Sequence, residues 1–257
     1  MLAFLTGLVF ASYAIASPFS PPEIPSLPTS FVLVGDSTTA IGSGWGNGFC
    51  GDNTTSIPST LKPNTSCINT AHPGATTGTF VAGGWWNITV NAIKGEVAKK
   101  RRTLVTIQFG HNDAVVGPPE SMGANLTTMV KEVRALGAEP ILVTSLIVRN
   151  INANGTINDS LQPWADETAL VSRQQWTPLL DLHGTSKEYC EKIGPDAAHR
   201  LNPTATDNTH LNLHGQIVFG RMVADLLKGN PDPTLIGLPI IGNPGLTYNN
   251  THGIASY

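Results

Sequence analysis

The sequence predicts an α/β protein, a three-layer α/β/α sandwich built on a five-stranded parallel sheet. Short apolar runs of strand length alternate along the chain with longer segments whose apolar residues recur at helical spacing. Several of these runs end directly in glycine and polar residues, which is typical of buried parallel strands at the edge of a sheet. Strands that alternate with helices are joined by crossovers, which place helices on both faces of the sheet.

The elements follow in order from this pattern. Strands are predicted at 31–35, 66–71, 103–109, 141–146 and 178–182. The helices between them are predicted from apolar faces: Trp86, Val90, Ile93 and Val97; then Leu126, Met129, Val130 and Val133, with Gly137 as the stop; then about 161–175; and last Leu213, Ile217, Met222, Val223 and Leu226, all facing inward. Residues from about 230 to 257 show no periodicity and are predicted to form an irregular C-terminal tail.

Composition restricts the class of protein. The 257 residues are 40% hydrophobic and 13% charged, with a formal net charge of −3, which argues against a nucleic-acid partner. The cationic run 99–102 is therefore interpreted as a solvated helix end, where the helix dipole favours cations. No repeat is visible, and residues 17–257 are expected to form one domain, working as a monomer.

The first 16 residues are typical of a secretory signal peptide. The apolar run ends in Ala14-Ile15-Ala16, a small-x-small cleavage pattern, and prolines from Pro18 onward stop it before it reaches the length of a membrane anchor. We therefore expect a secreted, extracellular protein with no membrane attachment after cleavage. Seven N-glycosylation sequons agree with this route: Asn53, Asn64, Asn87, Asn125, Asn154, Asn158 and Asn249.

Three cysteines are present in the chain. Cys50 and Cys67 lie between the first two predicted strands and could close a short loop, which would leave Cys190 free and buried. Spacing does not fix the connectivity, so this pairing is a hypothesis. The glycine-rich segment 42–48 resembles a dinucleotide-binding loop only superficially, because no helix pattern follows it and Cys50 interrupts it. We interpret it as a flexible loop beside the site.

Polar residues at predicted strand ends form a candidate catalytic set. Ser37 follows the first strand, Gly74 follows the second, Asn112 follows the third, and Asp207 and His210 share the last loop. A serine hydroxyl needs a base to become a nucleophile, and histidine can act as that base when a carboxylate orients it. The amides of Ser37 and Gly74 and the side chain of Asn112 are candidate donors to an oxyanion.

These motifs resemble a known superfamily. The order Gly35-Asp36-Ser37, Gly74, Gly110-x-Asn112-Asp113 and Asp207-x-x-His210 is similar to the four blocks of the SGNH (GDSL) hydrolases, across nearly the whole predicted mature chain. Residues 108–113 and 207–212 most resemble rhamnogalacturonan acetylesterases, secreted enzymes that deacetylate pectin.

The resemblance implies a flavodoxin-like fold, no cofactor, and an acetylated polysaccharide as substrate. It further implies Ser37 as nucleophile, His210 as base, Asp207 as its orienter, and an oxyanion hole formed by Ser37, Gly74 and Asn112.

Other readings of the sequence stay open. A lipase-like esterase on other acyl esters and an acetylxylan esterase would use the same residues. Asp207, His210 and His214 could instead form part of a zinc site in a metal-dependent hydrolase, and a carbohydrate-binding protein without catalysis could keep the fold. Structural roles are expected for Asp36, as a hydrogen-bonding group of the turn, and for four further histidines: His72, His111, His183 and His199.

Overall fold

The structure, a computed structural model, describes residues 27–256 and confirms the predicted fold class. Five parallel strands form one sheet in the order β2-β1-β3-β4-β5. This is the flavodoxin-like strand order, with its switch point between β1 and β3. The strands are β1 (Thr29–Gly35), β2 (Ser66–Asn69), β3 (Arg102–Gln108), β4 (Glu139–Val143) and β5 (Leu179–Leu180).

Helices connect the strands and cover both faces of the sheet. They are α1 (Gly46–Cys50), α2 (Thr77–Ala82), α3 (Trp85–Ala98), α4 (Asp113–Val116), α5 (Pro119–Ala135), α6 (Gln162–Gln175), α7 (Leu182–Ile193), α8 (Pro195–His199), α9 (Leu213–Lys228) and α10 (Pro244–His252), with a 3₁₀ turn at Pro233–Leu235. None of the helices in the described part of the chain is long and apolar enough to span a membrane.

The two faces of β1 belong to different hydrophobic clusters. Phe31 and Leu33 pack into the cluster that includes Phe219 of α9, whereas Val32 and Val34 pack into the cluster that includes Ile93 of α3. Successive side chains of a strand point to opposite faces, so a run without a polar break requires a helix layer on each side. The apolar sequence of β1 thus follows from its central place in the sandwich.

The glycine-rich segment 42–48 differs from its prediction as a flexible loop. Its second half forms helix α1, and Trp45 and Phe49 are fully buried. A Cβ atom on Gly48 would overlap the main-chain carbonyl of Gln216 in α9. Gly48 is therefore needed because α1 and α9 approach each other closely, a reason that spacing alone does not reveal.

The C-terminal half contains more helix than predicted. The predicted last strand is wrong at its end, because Leu182 begins α7 and Asp181 caps that helix by accepting the N–H of Gly184. The short helix α8 was also missed. The predicted irregular tail, residues 230–257, is ordered structure over the described residues 230–256. This segment contains the 3₁₀ turn and α10, and it buries Leu235 and Ile240. Leu213 was predicted to face inward, yet it is 47% exposed at the first turn of α9.

Strands and cationic residues also differ in detail from the predictions. The second strand ends at Asn69 and the fourth at Val143, earlier than their apolar runs. Helix α3 ends at Ala98, before the cationic run 99–102, and Arg102 opens β3 in an ion pair with Glu139. The run is therefore divided between a turn and a strand rather than forming one helix end.

A disulfide joins Cys50 to Cys67, linking α1 to β2, and Cys190 is a free, buried thiol. Both agree with the pairing proposed from the cysteine positions. The predicted signal peptide, residues 1–16, lies outside the described residues.

Candidate active site

The turn after β1 holds Ser37 at the carboxyl edge of the sheet. Asp36 is fully buried, and its Oδ1 accepts the backbone N–H of Thr38 at 2.8 Å and the Thr38 hydroxyl at 2.7 Å. Its carbonyl accepts the N–H of Thr39 at 3.1 Å. These bonds fix the backbone on both sides of Ser37, and they give Asp36 the structural role predicted from the sequence.

The loop before α9 brings Asp207 and His210 to the same edge. Asp207 Oδ1 accepts the backbone N–H groups of Thr209 at 3.1 Å and His210 at 2.9 Å. Its Oδ2 lies 2.8 Å from His210 Nδ1, and His210 Nε2 lies 2.9 Å from Ser37 Oγ. Residues that are 173 positions apart in the chain therefore form one continuous hydrogen-bonded row.

The charge of Asp207 selects one arrangement of protons along this row. Burial acts to raise the pKa of Asp207, but hydrogen bonds from His210 and Thr209 outweigh it and hold the pKa below its ordinary value. An ionised carboxylate only accepts, so the proton of a neutral His210 sits on Nδ1. Nε2 is then free to accept from the hydroxyl of Ser37, which is the geometry of a serine activated by a histidine.

Ser37, Gly74 and Asn112 each have an N–H group that is a candidate donor to an oxyanion. In the described part of the chain, the backbone N–H groups of Ser37 and Gly74 have no acceptor. Gly74 has φ +79°, and a Cβ atom there would meet nothing within 4 Å, so its backbone faces open space. The side-chain amide of Asn112 donates to the carbonyl of Ala75 at 3.0 Å, and this contact uses one of its two N–H bonds.

Asp113 contacts the segment that carries Gly74. Asp113, which opens α4, accepts the N–H of Thr77 at 3.0 Å and its hydroxyl at 2.6 Å. Burial raises the pKa of Asp113, and the nearby negative charge of Asp36 adds to that effect. Asp113 thus ties the end of β3 to the segment that carries Gly74.

His111 belongs to the site, although the sequence suggested a structural role. It lines the cavity beside Ser37 and Asn112, and its Nδ1 lies 3.7 Å from Asp36 Oδ2. Burial acts to raise the pKa of Asp36, but the interaction with the nearby His111 and the hydrogen bonds from Thr38 outweigh it and lower that pKa. No signal in the sequence distinguishes His111 from the histidines that have structural roles.

The site opens into a cavity of about 600 Å³. Its lining consists of Ser37, His111, Asn112, Ala114, Val115, Val148, Ser160, Leu161, Trp164, Thr209 and His210. Val115 is 84% exposed on α4, and Trp164 lies on α6 across from it. Gly74 is not part of this lining, and the contact of Asn112 with Ala75 connects its segment to the cavity.

The remaining histidines lie apart from this cavity. His72 stacks on Trp85, the ring of His183 contacts Asp159, and His199 lies 3.0 Å from the carbonyl of Arg149. His214 is exposed on α9. Both ring nitrogens of His210 are engaged by Asp207 and Ser37, so they are not free to bind a metal together with His214. Between residues 27 and 256, no three His, Cys, Asp or Glu side chains are grouped to hold a metal ion.

The predicted glycosylation sites differ in exposure. Five asparagines of the sequons are exposed: Asn53, Asn64, Asn87, Asn154 and Asn158. The other two are half-buried and use their amide groups, since Asn125 donates to the Thr77 hydroxyl and Asn249 donates to the Ser256 hydroxyl.

Comparison with known proteins assigns the family. Residues 33–218 match the sequence profile of the GDSL-like lipase/acylhydrolase family, and this range extends from β1 into α9. The chain belongs to this family. Family membership is consistent with an esterase and confirms the SGNH resemblance that the four motif blocks carry. The match includes Ser37, Gly74, Asn112, Asp207 and His210.

Individual proteins are similar to this chain in sequence or in fold. Rhamnogalacturonan acetylesterase RhgT of Bacillus subtilis (strain 168) is 28% identical over 235 residues, which cover 83% of this chain and 93% of that protein. Axe2, an acetylxylan esterase from Geobacillus stearothermophilus, superimposes with a TM-score of 0.55 at 16% identity, covering 85% of this chain and 98% of that one.

A crystal structure of another Bacillus subtilis protein gives a TM-score of 0.61 at 20% identity and covers 79% of this chain. The present chain spans only 57% of that protein. At these identities the two structural matches establish the fold alone.

Proposed function

We propose that this GDSL-like acylhydrolase is a secreted serine acetylesterase that removes acetyl groups from plant cell-wall polysaccharide, most of all from rhamnogalacturonan. The observation that carries the proposal is the row of contacts from Asp207 through His210 to Ser37, with 2.8 and 2.9 Å between successive partners. In this assignment Ser37 is the nucleophile, His210 the base and Asp207 the residue that orients it.

Acylation follows from this row. Ser37 Oγ attacks the carbonyl carbon of the acetyl ester while His210 Nε2 takes the hydroxyl proton. The tetrahedral oxyanion is stabilised by the free N–H groups of Ser37 and Gly74 and by the second N–H of Asn112. The bond to the sugar oxygen then breaks, and His210 returns its proton to that oxygen. The products are the free sugar hydroxyl and acetyl-Ser37.

Deacylation repeats these steps with water. His210 takes a proton from water, the resulting oxygen attacks the acetyl carbonyl, and Ser37 leaves with the proton from His210. Acetic acid is released and the enzyme is restored. Because protonated imidazole cannot act as base, activity should fall below roughly pH 6. Asp207 stays ionised there, since hydrogen bonds hold its pKa low.

Different observations support the proposed acyl group and the proposed polymer. The described residues that line the cavity include polar ones such as Asn112, Ser160 and Thr209 beside apolar ones, a mixture that favours a short acyl group over a long apolar chain. We therefore expect turnover to decrease steeply for acyl chains beyond about four carbons. The preference for rhamnogalacturonan is supported by the 28% identity to a rhamnogalacturonan acetylesterase over 83% of this chain.

Acetylxylan is the second candidate substrate. No lysine or arginine is among the described residues that line the cavity, so a galacturonate carboxylate bound there meets neither of these cations. This lining suits a neutral sugar such as xylose at least as well as a galacturonate.

Acetate release tests these proposals directly. The purified protein is incubated with acetylated rhamnogalacturonan, with acetylxylan and with p-nitrophenyl esters of two to twelve carbons, and Ser37→Ala serves as control. We expect the highest rate on rhamnogalacturonan and none with Ser37→Ala. Faster release from acetylxylan would keep the enzyme class and change the substrate. Turnover that survives Ser37→Ala would overturn the mechanism.

Secretion has a separate test. Expressed in a eukaryotic secretory host, the protein should leave the cell with an N-terminus near Ser17, and it should lose mass on endoglycosidase treatment. Glycans are expected first on the exposed asparagines, such as Asn53 and Asn154. Retention in the cell at full length and without glycans would contradict this part of the proposal.

A further inference from the structure

Arg149 is a buried cation behind the candidate active site. It lies between β4 and α6, and its side chain is fully buried. No carboxylate of residues 27–256 forms an ion pair with it, and its Nη1 has no hydrogen-bond partner. Burying a charge without a counter-ion lowers stability, and an apolar side chain of similar size would avoid that cost. An arginine at such a position therefore points to a role other than stability.

The contacts of Arg149 are with the segment that carries Asp207 and His210. Its Nη2 donates to the main-chain carbonyl of His210, and its backbone N–H donates to the carbonyl of Asn208 at 2.9 Å. Its Nε donates to Asn202 Oδ1 at 2.6 Å, and Asn202 in turn donates to Asn208 Oδ1 at 2.7 Å. Arg149 therefore holds the loop both at His210 and just after Asp207.

Arg149 keeps its charge in this environment. Burial lowers the pKa of Arg149 to about 10, while the nearby Cys190 and Asp207 act in the opposite direction. Burial also raises the pKa of the Cys190 thiol to about 12, so that thiol is neutral. The guanidinium therefore remains protonated at any pH at which the enzyme is expected to work.

Several polar groups surround the His210 imidazole and influence its protonation. Asp207, on the same loop, favours the protonated ring. Ser37, on the turn after β1, is neutral, and His111 lines the same cavity. Arg149 contacts the loop through the main-chain carbonyl of His210 and has a fixed positive charge.

We propose that Arg149 is a positioning residue with two effects, which rest on the proposed role of His210 as base. It fixes the ring of His210 through the main-chain carbonyl, and its buried charge opposes protonation of that ring. The second effect counteracts Asp207, which alone would favour the protonated and inactive base. His210 then stays unprotonated, and able to act as base, at lower pH than it would beside Asp207 without a nearby cation.

Charge and anchoring are separated by two substitutions. Arg149→Met keeps the bulk and removes both the charge and the donors, whereas Arg149→Lys keeps the charge and loses the planar fork. Arg221→Met is the matched control, because Arg221 is also buried but binds Asp225 and the carbonyl of Ile241, away from the site. The readouts are kcat and KM for p-nitrophenyl acetate from pH 4 to 8, with the melting temperature of each variant.

Arg149→Met should lower kcat by about 10- to 100-fold with KM within about twofold, because a displaced base affects the chemical step. The acid limb of its kcat profile, where kcat falls as the pH is lowered, should move to higher pH by about one unit. This is the size expected for one charge within about 10 Å at an effective dielectric constant of ~20. Arg149→Lys should lose part of kcat and keep the wild-type acid limb. Arg221→Met should have a lower melting temperature and an unchanged pH dependence of kcat.

An acid limb that is the same in wild type and Arg149→Met would overturn the role of the charge, and so would an equal shift in Arg221→Met. If Arg149→Met does not fold, Asn202→Asp provides the test. A carboxylate beside the guanidinium neutralises its charge and should also move the acid limb of the kcat profile to higher pH. An unmoved acid limb in Asn202→Asp would overturn the proposal. Turnover that persists in Ser37→Ala would instead overturn the proposed function.

Discussion

The side-chain amide of Asn112 donates to the carbonyl of Ala75 at 3.0 Å, which connects the end of β3 to the segment after β2. That segment is itself aligned with β1, because the N–H of His72 donates to the carbonyl of Gly35 at 2.9 Å. Contacts outside the hydrogen bonds of the sheet thus hold the ends of β1, β2 and β3 in fixed positions relative to one another. The proposed oxyanion donors therefore depend on one another for their positions.

Asn112→Ala should lower kcat by about 100- to 1,000-fold, with a smaller effect on KM, because one donor to the oxyanion is lost. Steady-state kinetics on p-nitrophenyl acetate measure this. Asn152→Ala, in an exposed turn, is the control and should match wild type. A loss below about threefold in Asn112→Ala would mean that the amide does not contact the oxyanion.

Asp113 gives a prediction for the pH dependence of stability. Its pKa is raised in the folded protein by burial and by the charge of Asp36, so its contribution to stability is full below its unfolded pKa, about 3.9. That contribution is lost as the pH rises through the folded pKa. Asp113→Asn keeps an oxygen to accept from Thr77 and removes this dependence.

The free energy of unfolding of wild type minus that of Asp113→Asn should therefore be larger at pH 4 than at pH 7. Urea unfolding at both pH values provides the measurement. Asp196→Asn, at an exposed position on α8, controls for the general effect of removing a carboxylate. Equal differences at the two pH values would show that Asp113 does not titrate as its environment indicates.

Two glycines should respond in opposite ways to the same substitution. Gly48→Ala places a methyl group against the carbonyl of Gln216 and should destabilise the protein by about 1–3 kcal/mol. Gly95→Ala, in α3, meets nothing within 4 Å and should stabilise it by about 1 kcal/mol. Chemical denaturation of both variants checks this, and effects of the same sign would contradict the close contact of α1 with α9.

The sequence predicted those parts of the fold that depend on local patterns. The run before Gly35 is apolar because β1 is buried on both faces, and the polar residues after it mark the edge where the site lies. Leu182 was misplaced because an apolar residue after a strand continues the pattern, whereas the cap formed by Asp181 acts through a side-chain bond. Helix α10 was missed because few of its residues are apolar and only Asn250 is buried.

The site was predicted less completely than the fold. Ser37, Asn112, Asp207 and His210 could be found because each follows or flanks a strand end or belongs to the last loop. Arg149 could not be found, because an arginine beside Asn150 in a loop is normally interpreted as a solvated surface residue. Its burial results from contacts with residues more than 50 positions away in the chain, which no local pattern contains.

The C-terminus of α6 carries a residue that is unusual for its conformation. Trp176 adopts the left-handed region at φ 50° and ψ 51°, and its side chain is 90% exposed. Glycine is the residue favoured at this position, because the left-handed region brings a Cβ atom close to the backbone. The carbonyl of Trp176 accepts from Arg134, and this contact is independent of the side chain.

Trp176→Gly should therefore raise the free energy of unfolding by about 0.5–1 kcal/mol, since relief of a left-handed strain of ~1–2 kcal/mol exceeds the added freedom of glycine in the unfolded chain. Trp176→Ala is the matched control, because it removes the same ring and keeps the Cβ atom. The glycine variant should be more stable than the alanine variant by roughly 1 kcal/mol in urea unfolding. If alanine were as stabilising as glycine, the exposed ring rather than the backbone would be the source of the strain.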